Sequence, residues 1–498
     1  MAAKQKAIII GAGVAGLACA IRLAVQGFEV TIFEKNNYAG GKIGLLEKDG
    51  YCFDTGPSLF VQPQNIRELF DMAGETIIPY FHYKKLDLTC KYFYEDGTII
   101  NAYSNKEKFA KELKEKTGGR PHYLFTYLDE AEKIYNKIGS IFLNQSLHKK
   151  EKFDIQKILK AFSVTKPAYL FSTLHKQNKR SFSDEHVVQL FDRFATYNGS
   201  NPYKAPGMLK LISHVEMNEG VYYPEGGMIS IARALYGLAI KKGVSFHFNH
   251  TVQKIIVADK KATGIVVNNE TFFADVAVSN IDVYFTYLQL LNDEQSANTI
   301  LKQERSSSAL VFYWGIKKDF PGLELHNIFF SKNYKAEFNS IFEDKKIYDD
   351  PTIYINITSK MEPEHAPSGK ENWFVMINVA SNEQASDEAT INLCRKNILA
   401  KLNRILKTDI EPLIETEAVL HPKLIEAQTA SYAGALYGTS SNSRKAAFMR
   451  HPNFSNKIQR LYFAGGSVHP GGGIPLCLKS AKIASELIME DSKKWKHE

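Results

Sequence analysis

Apolar and polar positions along this chain follow three rhythms. Ala7 to Ile10 is a short β-branched run, the mark of a strand buried on both faces. From Val14 to Gln26 the rhythm turns helical, with Leu17, Ala20, Ile21 and Ala24 on one face. Phe28 to Phe33 reads as a second buried strand, so the opening segment predicts a parallel β-α-β unit. Short strands are expected at Leu88 to Tyr94 and Ile99 to Tyr103, turned at Asp96-Gly97. Between 105 and 215 the helical period dominates, with Leu124, Leu128, Ala131 and Tyr135 in register and a later helix capped by Ser183. Val244 to Val252 reads as a strand, followed by His250 to Ile255 and a hairpin around Asn268-Asn269. Residues 285 to about 440 alternate strands with polar loops, turn-rich at 343–351 and 359–372. Leu461 to Ala464 is a last buried strand, and a helix begins at Ile474.

Glycines mark where this pattern carries chemistry. Gly11, Gly13 and Gly16 fall between the first strand and its helix. Gly11 permits the turn, Gly13 lets backbone approach a pyrophosphate, and Gly16 lets helix and strand pack closely. The helix start, with Ala15 in its first turn, favours an anion. Glu34 closes the second strand, where an acidic group binds ribose hydroxyls. A second glycine-rich run, Gly465-Gly466 through Gly471-Gly472-Gly473, lies near the other end. Two such loops predict a long dinucleotide held at both ends.

Length and composition add bounds. A chain of 498 residues with 44% hydrophobic content predicts two to three globular domains. No run of 18 apolar residues crosses a membrane. Five scattered cysteines without Cys-x-x-Cys spacing point to a reduced, cytoplasmic compartment and no metal site. His247 and His250 have no third ligand nearby in sequence. The net charge of +8 is concentrated between 147 and 180, where nine Lys and Arg face only Glu151 and Asp154. Phe153, Ile155, Ile158 and Phe162 are interleaved with them. A basic and apolar mixture fits peripheral attachment to a membrane bearing anionic lipid, with an ordinary solvated helix as the alternative. No nucleic-acid motif is present.

Further residues carry a resemblance. Lys35 leads to Gly40-Gly41-Lys42, and Phe53-Asp54-Thr55 to Gly56-Pro57-Ser58. Tyr223-Pro224-Glu225-Gly226-Gly227 and Arg193 to Pro202 follow, and the last loop runs through His469-Pro470 to Gly473-Ile474-Pro475. Together they resemble the carotenoid (phytoene) desaturase family of FAD-dependent, amine-oxidase-like flavoproteins. The resemblance is strongest to the bacterial 1-hydroxycarotenoid 3,4-desaturase group. It implies an α/β fold: a glutathione-reductase-like (Rossmann-type) FAD domain plus an α+β substrate domain with a helical membrane-facing subregion. The FAD domain is expected from 1–75, 220–284 and 455–498, and the substrate domain from 76–219 and 285–454. By resemblance, Lys35, Gly41, Lys42, Gly56, Pro57 and Ser58 join the first loop along the cofactor. Lys42 stands where the family has Arg, which keeps the charge but loses the planar fork. Val252 meets the adenine end through its backbone. Gly465 and Gly466 approach the ribityl and phosphate, and Gly473, Ile474 and Pro475 face the ring oxygen.

The resemblance implies an oxidoreductase of carotenoid biosynthesis that forms a C=C bond by hydride transfer to flavin, with oxygen or a membrane quinone as electron acceptor. The substrate is an apolar carotenoid, and the 31 Phe, 25 Tyr and 3 Trp can line its tunnel. A hydroxylated substrate calls for a buried polar partner at the closed end. No catalytic residue is assigned; His214, Glu216, Glu219 and Glu225 are the acid–base candidates, and His469 shapes the loop. Alternatives on the same fold are a phytoene or lycopene-forming desaturase, an isomerase or saturase, an amine oxidase, and a flavin-less escort protein for lipid groups.

Overall fold

Five parallel strands carry both glycine loops in the computed structural model, which describes residues 4–149 and 168–495. Their order across the sheet is Leu461–Phe463, Val276–Ser279, Lys6–Ile10, Glu29–Phe33 and Ser245–His247. Segments hundreds of residues apart thus become neighbours. Both faces are covered, as parallel sheets require. Ala7 and Ile9 pack with the helices Val14–Val25, Ile229–Lys241 and Ile474–Trp495. Ile8 and Ile10 face the antiparallel strands Val252–Ala258, Lys261–Val267 and Glu270–Phe273. The last two turn at Asn268-Asn269, both with positive φ, as the hairpin predicts.

A second sheet has seven strands. Its order is Ile414–Leu420, Ser308–Ile316, Glu371–Val379, Ile353–Ile357, His326–Phe329, Leu88–Phe93 and Ile99–Tyr103. Every pairing is antiparallel except that of Leu88–Phe93 with His326–Phe329. The helix Glu388–Leu406 packs on it through Cys394, Ile398 and Leu402. This helix departs from the expected strands and loops; Asp387 caps it by accepting from the Thr390 N–H (3.0 Å).

The helical stretch runs through Lys106–Thr117 and Pro121–Ile134, a π-turn at Tyr135–Gly139, and Ser140–Asn144. It resumes with Ala168–Phe171, Leu174–Ser181 and Glu185–Asp192. Most of the basic segment expected at 147–180 falls in 150–167, outside the described residues. Two local expectations are corrected. The cap of Glu185–Asp192 is Asp184, whose carboxylate accepts from the His186 and Val187 N–H groups, not Ser183. Val244 to Val252 is not one strand: Asn249 at φ +58° turns the chain, and Val252 opens a different sheet.

Candidate functional site

The first loop is walled by backbone. Gly11 has φ +97°, a conformation L side chains resist. A Cβ on Gly16 would lie 2.2 Å from the Gly11 carbonyl oxygen, so only glycine allows this helix to start so close to its strand. The Gly41 turn closes over Gly13, where an added Cβ would come within 2.9 Å of its Cα. A Cβ on Gly56 would collide with the Lys42 carbonyl at 1.9 Å. Ala15 is buried in the first helical turn.

Glu34 ends the second strand, 5% exposed. Its carboxylate accepts from the Ala12 N–H (2.7 Å) and the Asn36 N–H (2.9 Å). The Glu34 N–H donates to the His247 carbonyl, and the His250 N–H to the Glu34 carbonyl, both at 2.9 Å. These bonds bring Val252 beside the same strand end. His247 stacks on Phe33 (4.7 Å between centroids). Among the described residues no three or more metal-ligating side chains gather.

The two lysines diverge. The Lys35 ammonium donates to the Ala427 carbonyl; burial lowers its pKa against the pull of Glu34. The Lys42 ammonium donates to the Leu436 carbonyl (2.7 Å). Burial draws Lys42 down to about 8, opposed by nearby Asp282 and assisted by Arg305. Pro57 is half-buried, and the Ser58 hydroxyl shares a hydrogen bond with the Tyr354 hydroxyl (2.8 Å) of the seven-stranded sheet.

The second loop sits against the first through one side chain. Asn280 Oδ1 accepts from the Gly16 N–H (3.0 Å), while Asn280 Nδ2 donates to the Ala464 carbonyl (2.7 Å). The Gly465 N–H donates to Ser480 Oγ (3.1 Å). Gly466 and Gly472 press together, an added Cβ on Gly466 meeting the Gly472 Cα at 3.2 Å. Ile474 is buried and Pro475 half-buried where the last helix begins. Behind the loop Arg450, 2% exposed, donates through Nη1 to the carbonyls of Tyr437 (2.8 Å) and Gly466 (3.4 Å). Its Nη2 has no partner among the described residues. Sequence reasoning missed both Asn280 and Arg450. A glycine cradle with an orphaned buried guanidinium fits an anionic dinucleotide.

A cavity opens from this loop, enclosing about 1170 Å³ of empty space including its mouth. Gly472, Gly473 and Pro475 form one end; Val61, Ile138, Phe142, Leu143 and Met208 are among its apolar walls. Glu216, 2% exposed, lines it and accepts from Arg193 Nη2 (2.8 Å) and the Tyr197 hydroxyl. Gln62 Nε2 donates to the Tyr135 hydroxyl (2.6 Å) and to Glu219 (2.9 Å). Burial pushes the Glu219 carboxyl up, but hydrogen bonds from His214 and Gln62 outweigh it and leave it below its ordinary value. His214 is buried beside Asn218 (2.8 Å). Glu225 is exposed, pairs with Lys84 (3.3 Å) and stands outside the cavity. His469 lines it, held to the Gln145 carbonyl (3.1 Å); burial pulls it down to about 4, so it is neutral near pH 7.

Residues 14–489 match the model of the flavin-containing amine oxidoreductases, and the chain belongs to that family. Within it stand carotenoid-modifying relatives. The chain is 50% identical to the 1-hydroxycarotenoid 3,4-desaturase of Flavobacterium sp. strain P99-3, over 97% of this chain and 99% of that one. It is 30% identical to the 4,4'-diapolycopene oxygenase of Methylomonas sp., over 98% of each. Cyclohexylamine oxidase from Brevibacterium oxydans shares the fold at 15% identity, with a TM-score of 0.63 over 99% of this chain and 100% of that one. The protein is an FAD-dependent oxidoreductase.

Proposed function

We propose that this chain forms the 3,4 double bond of a 1-hydroxylated carotenoid. The observation that carries the reading is a mostly apolar cavity that ends on the second glycine loop yet holds one buried carboxylate in its wall. The half-identity to the Flavobacterium enzyme supports the choice of substrate.

The first turn of the helix, with the Ala15 amide, Gly41 and Lys42, would hold the diphosphate; Gly11, Gly13 and Gly16 would let it approach, the Gly11 and Gly16 N–H groups being spent on Phe33 and Asn280. Glu34 would take the ribose, and the Val252 backbone the adenine. Lys35, Gly56, Pro57, Ser58, Gly465 and Gly466 would complete the cradle, while Gly473, Ile474 and Pro475 would lie on the ring side. The segments 1–75, 220–284 and 455–498 form the cofactor unit; 76–219 and 285–454 form the substrate unit. Bound there, FAD supplies a two-electron hydride acceptor. Desaturation breaks a C–H bond on each of two adjacent carbons. One hydrogen departs as hydride, the other as a proton to solvent, and the electrons pass on to oxygen or a quinone.

The chain's own work is placement. Apolar walls align the polyene and exclude water. The 1-hydroxyl is only two C–C bonds from C3, about 4 Å away, so its partner must face the flavin end. Glu216 accepts that hydroxyl, with Tyr197 beside it. Tyr197 joins the loop through Gly199, which abuts Tyr437, which abuts Gly472. A partner built for a hydroxyl rejects the plain hydrocarbon strongly. Leu147 lines the cavity and Phe171 is 70% exposed; both belong to the basic 147–180 stretch that brings the protein to a lipid surface as a cytoplasmic, peripheral enzyme.

An anaerobic single turnover tests the reading. The FAD-loaded chain is mixed with 1-hydroxylated carotene in liposomes. Flavin bleaching matched one-to-one by longer-wavelength carotenoid absorbance supports desaturation. Isomerisation without bleaching would overturn it.

A further inference from the structure

Among the described residues Arg450 carries a charge without a counter-ion. It is 2% exposed, and among the described residues no carboxylate pairs with it. Nη1 is spent on two carbonyls, and Nη2 has no partner among the described residues. Burial, with Arg305 nearby, pulls the guanidinium down to about 10. Burying an unpaired cation is costly, and the cost is recovered only when an anionic or electron-rich ligand arrives. Arg450 also fixes the local backbone. A Cβ on Gly471 would lie 3.1 Å from its Nε, so glycine there leaves room for the guanidinium. The side chain lines the same cavity end as Gly472, Gly473 and Pro475.

The cofactor offers two negative regions. The diphosphate is served by the first loop and Lys42, as proposed above. Arg450 instead braces the stretch from Gly466 to Gly471, at the end of the cavity lined by Gly472, Gly473 and Pro475. We propose that Arg450 binds the oxygen-bearing edge of the flavin ring and raises its reduction potential. This inference rests on the FAD reading of the site. Two-electron reduction places negative charge on that edge, and a fixed cation in a dry site stabilises the reduced form more than the neutral oxidised one. A carotenoid C–H bond is a poor hydride donor, so a more oxidising ring is what the proposed reaction needs.

The test uses the full chain loaded with FAD and needs no carotenoid, so it stays readable even if the substrate assignment fails. If the chain takes no FAD, the reading of the site falls first and this inference with it. Reduction potential is measured by spectroelectrochemical titration, and FAD affinity separately, for wild type, Arg450→Gln and Arg450→Lys. Arg450→Gln is expected to make two-electron reduction at least tenfold less favourable, about 30 mV, with FAD affinity within threefold of wild type. Arg450→Lys retains most of the potential. Should Arg450→Gln fail to fold, Gly471→Ala displaces the guanidinium without removing its charge and is expected to lower the potential in the same direction. An unchanged potential in the folded, loaded variants overturns the proposal. A large loss of FAD affinity with unchanged potential overturns it in favour of a diphosphate contact. Altered discrimination between hydroxylated and plain carotene, again at unchanged potential, overturns it in favour of a substrate contact.

Discussion

One side chain decides whether the glycine loops work as one site. Asn280 spans them with a bond to each, from the Gly16 N–H and to the Ala464 carbonyl. Asn280→Ala leaves both groups short of a partner and is expected to cost about 1–3 kcal/mol of stability, read by urea unfolding, together with weaker FAD binding. Asn280→Asp keeps the acceptor but loses the donor, and should fall between. Lys42 adds a pH dependence. Its folded pKa of about 8 lies below the ordinary 10.5 because burial disfavours the charge. Between those values the unfolded chain holds more protons, so the FAD-free fold gains stability as pH rises from about 8 to 10.5. A bound diphosphate requires the proton back. FAD affinity is therefore expected to fall above pH 8, by up to about tenfold per unit, in a fluorescence titration. Lys42→Arg should remove that slope. The glycines were legible in the sequence because their spacing between strand and helix has a covalent reason. Asn280 and Arg450 were not, since a lone Asn or Arg acquires meaning only when folding sets 280 between 16 and 464, and 450 behind 466.

Elements were legible where one period ran clean. Lys6–Ile10, Val14–Val25 and Leu461–Phe463 stand close to where the apolar pattern puts them. The helix Glu388–Leu406 hid because its buried positions, Cys394, Ile398 and Leu402, are diluted by Asn, Lys and Arg and flanked by turn-rich sequence. Val244 to Val252 misread as one strand because its alternation continues through the break at Asn249. That break is physical: φ of +58° suits Asn and opposes a β-branched residue. Asn249→Gly is expected to be nearly neutral. Asn249→Val should cost about 1–2 kcal/mol, seen as a lowered Tm, and shift Val252 relative to Glu34.

At the scale of the whole molecule, three stretches of chain build one parallel sheet, and the sequence between them builds the cavity beside it. The sheet was readable from its ends, where each glycine loop follows an apolar strand. The cavity was not, because its wall is drawn from helices, loops and the last glycine run at once. The proposed attachment to lipid belongs to this scale. Replacing Lys152, Lys157 and Lys160 by Gln is expected to weaken flotation with anionic liposomes several-fold at low salt and to leave binding at 0.5 M salt unchanged. Unaltered flotation would remove that segment from the account. The most direct measurement of the central claim offers the FAD-loaded protein, on anionic liposomes, a 1-hydroxylated carotene and the same carotene without the hydroxyl, and weighs the products by mass spectrometry. The account predicts a product two hydrogens lighter from the hydroxylated substrate and strong discrimination against the plain one, relaxed in Glu216→Gln. Equal turnover of both, or no loss of hydrogen from the hydroxylated carotene by a fully loaded enzyme, would contradict it.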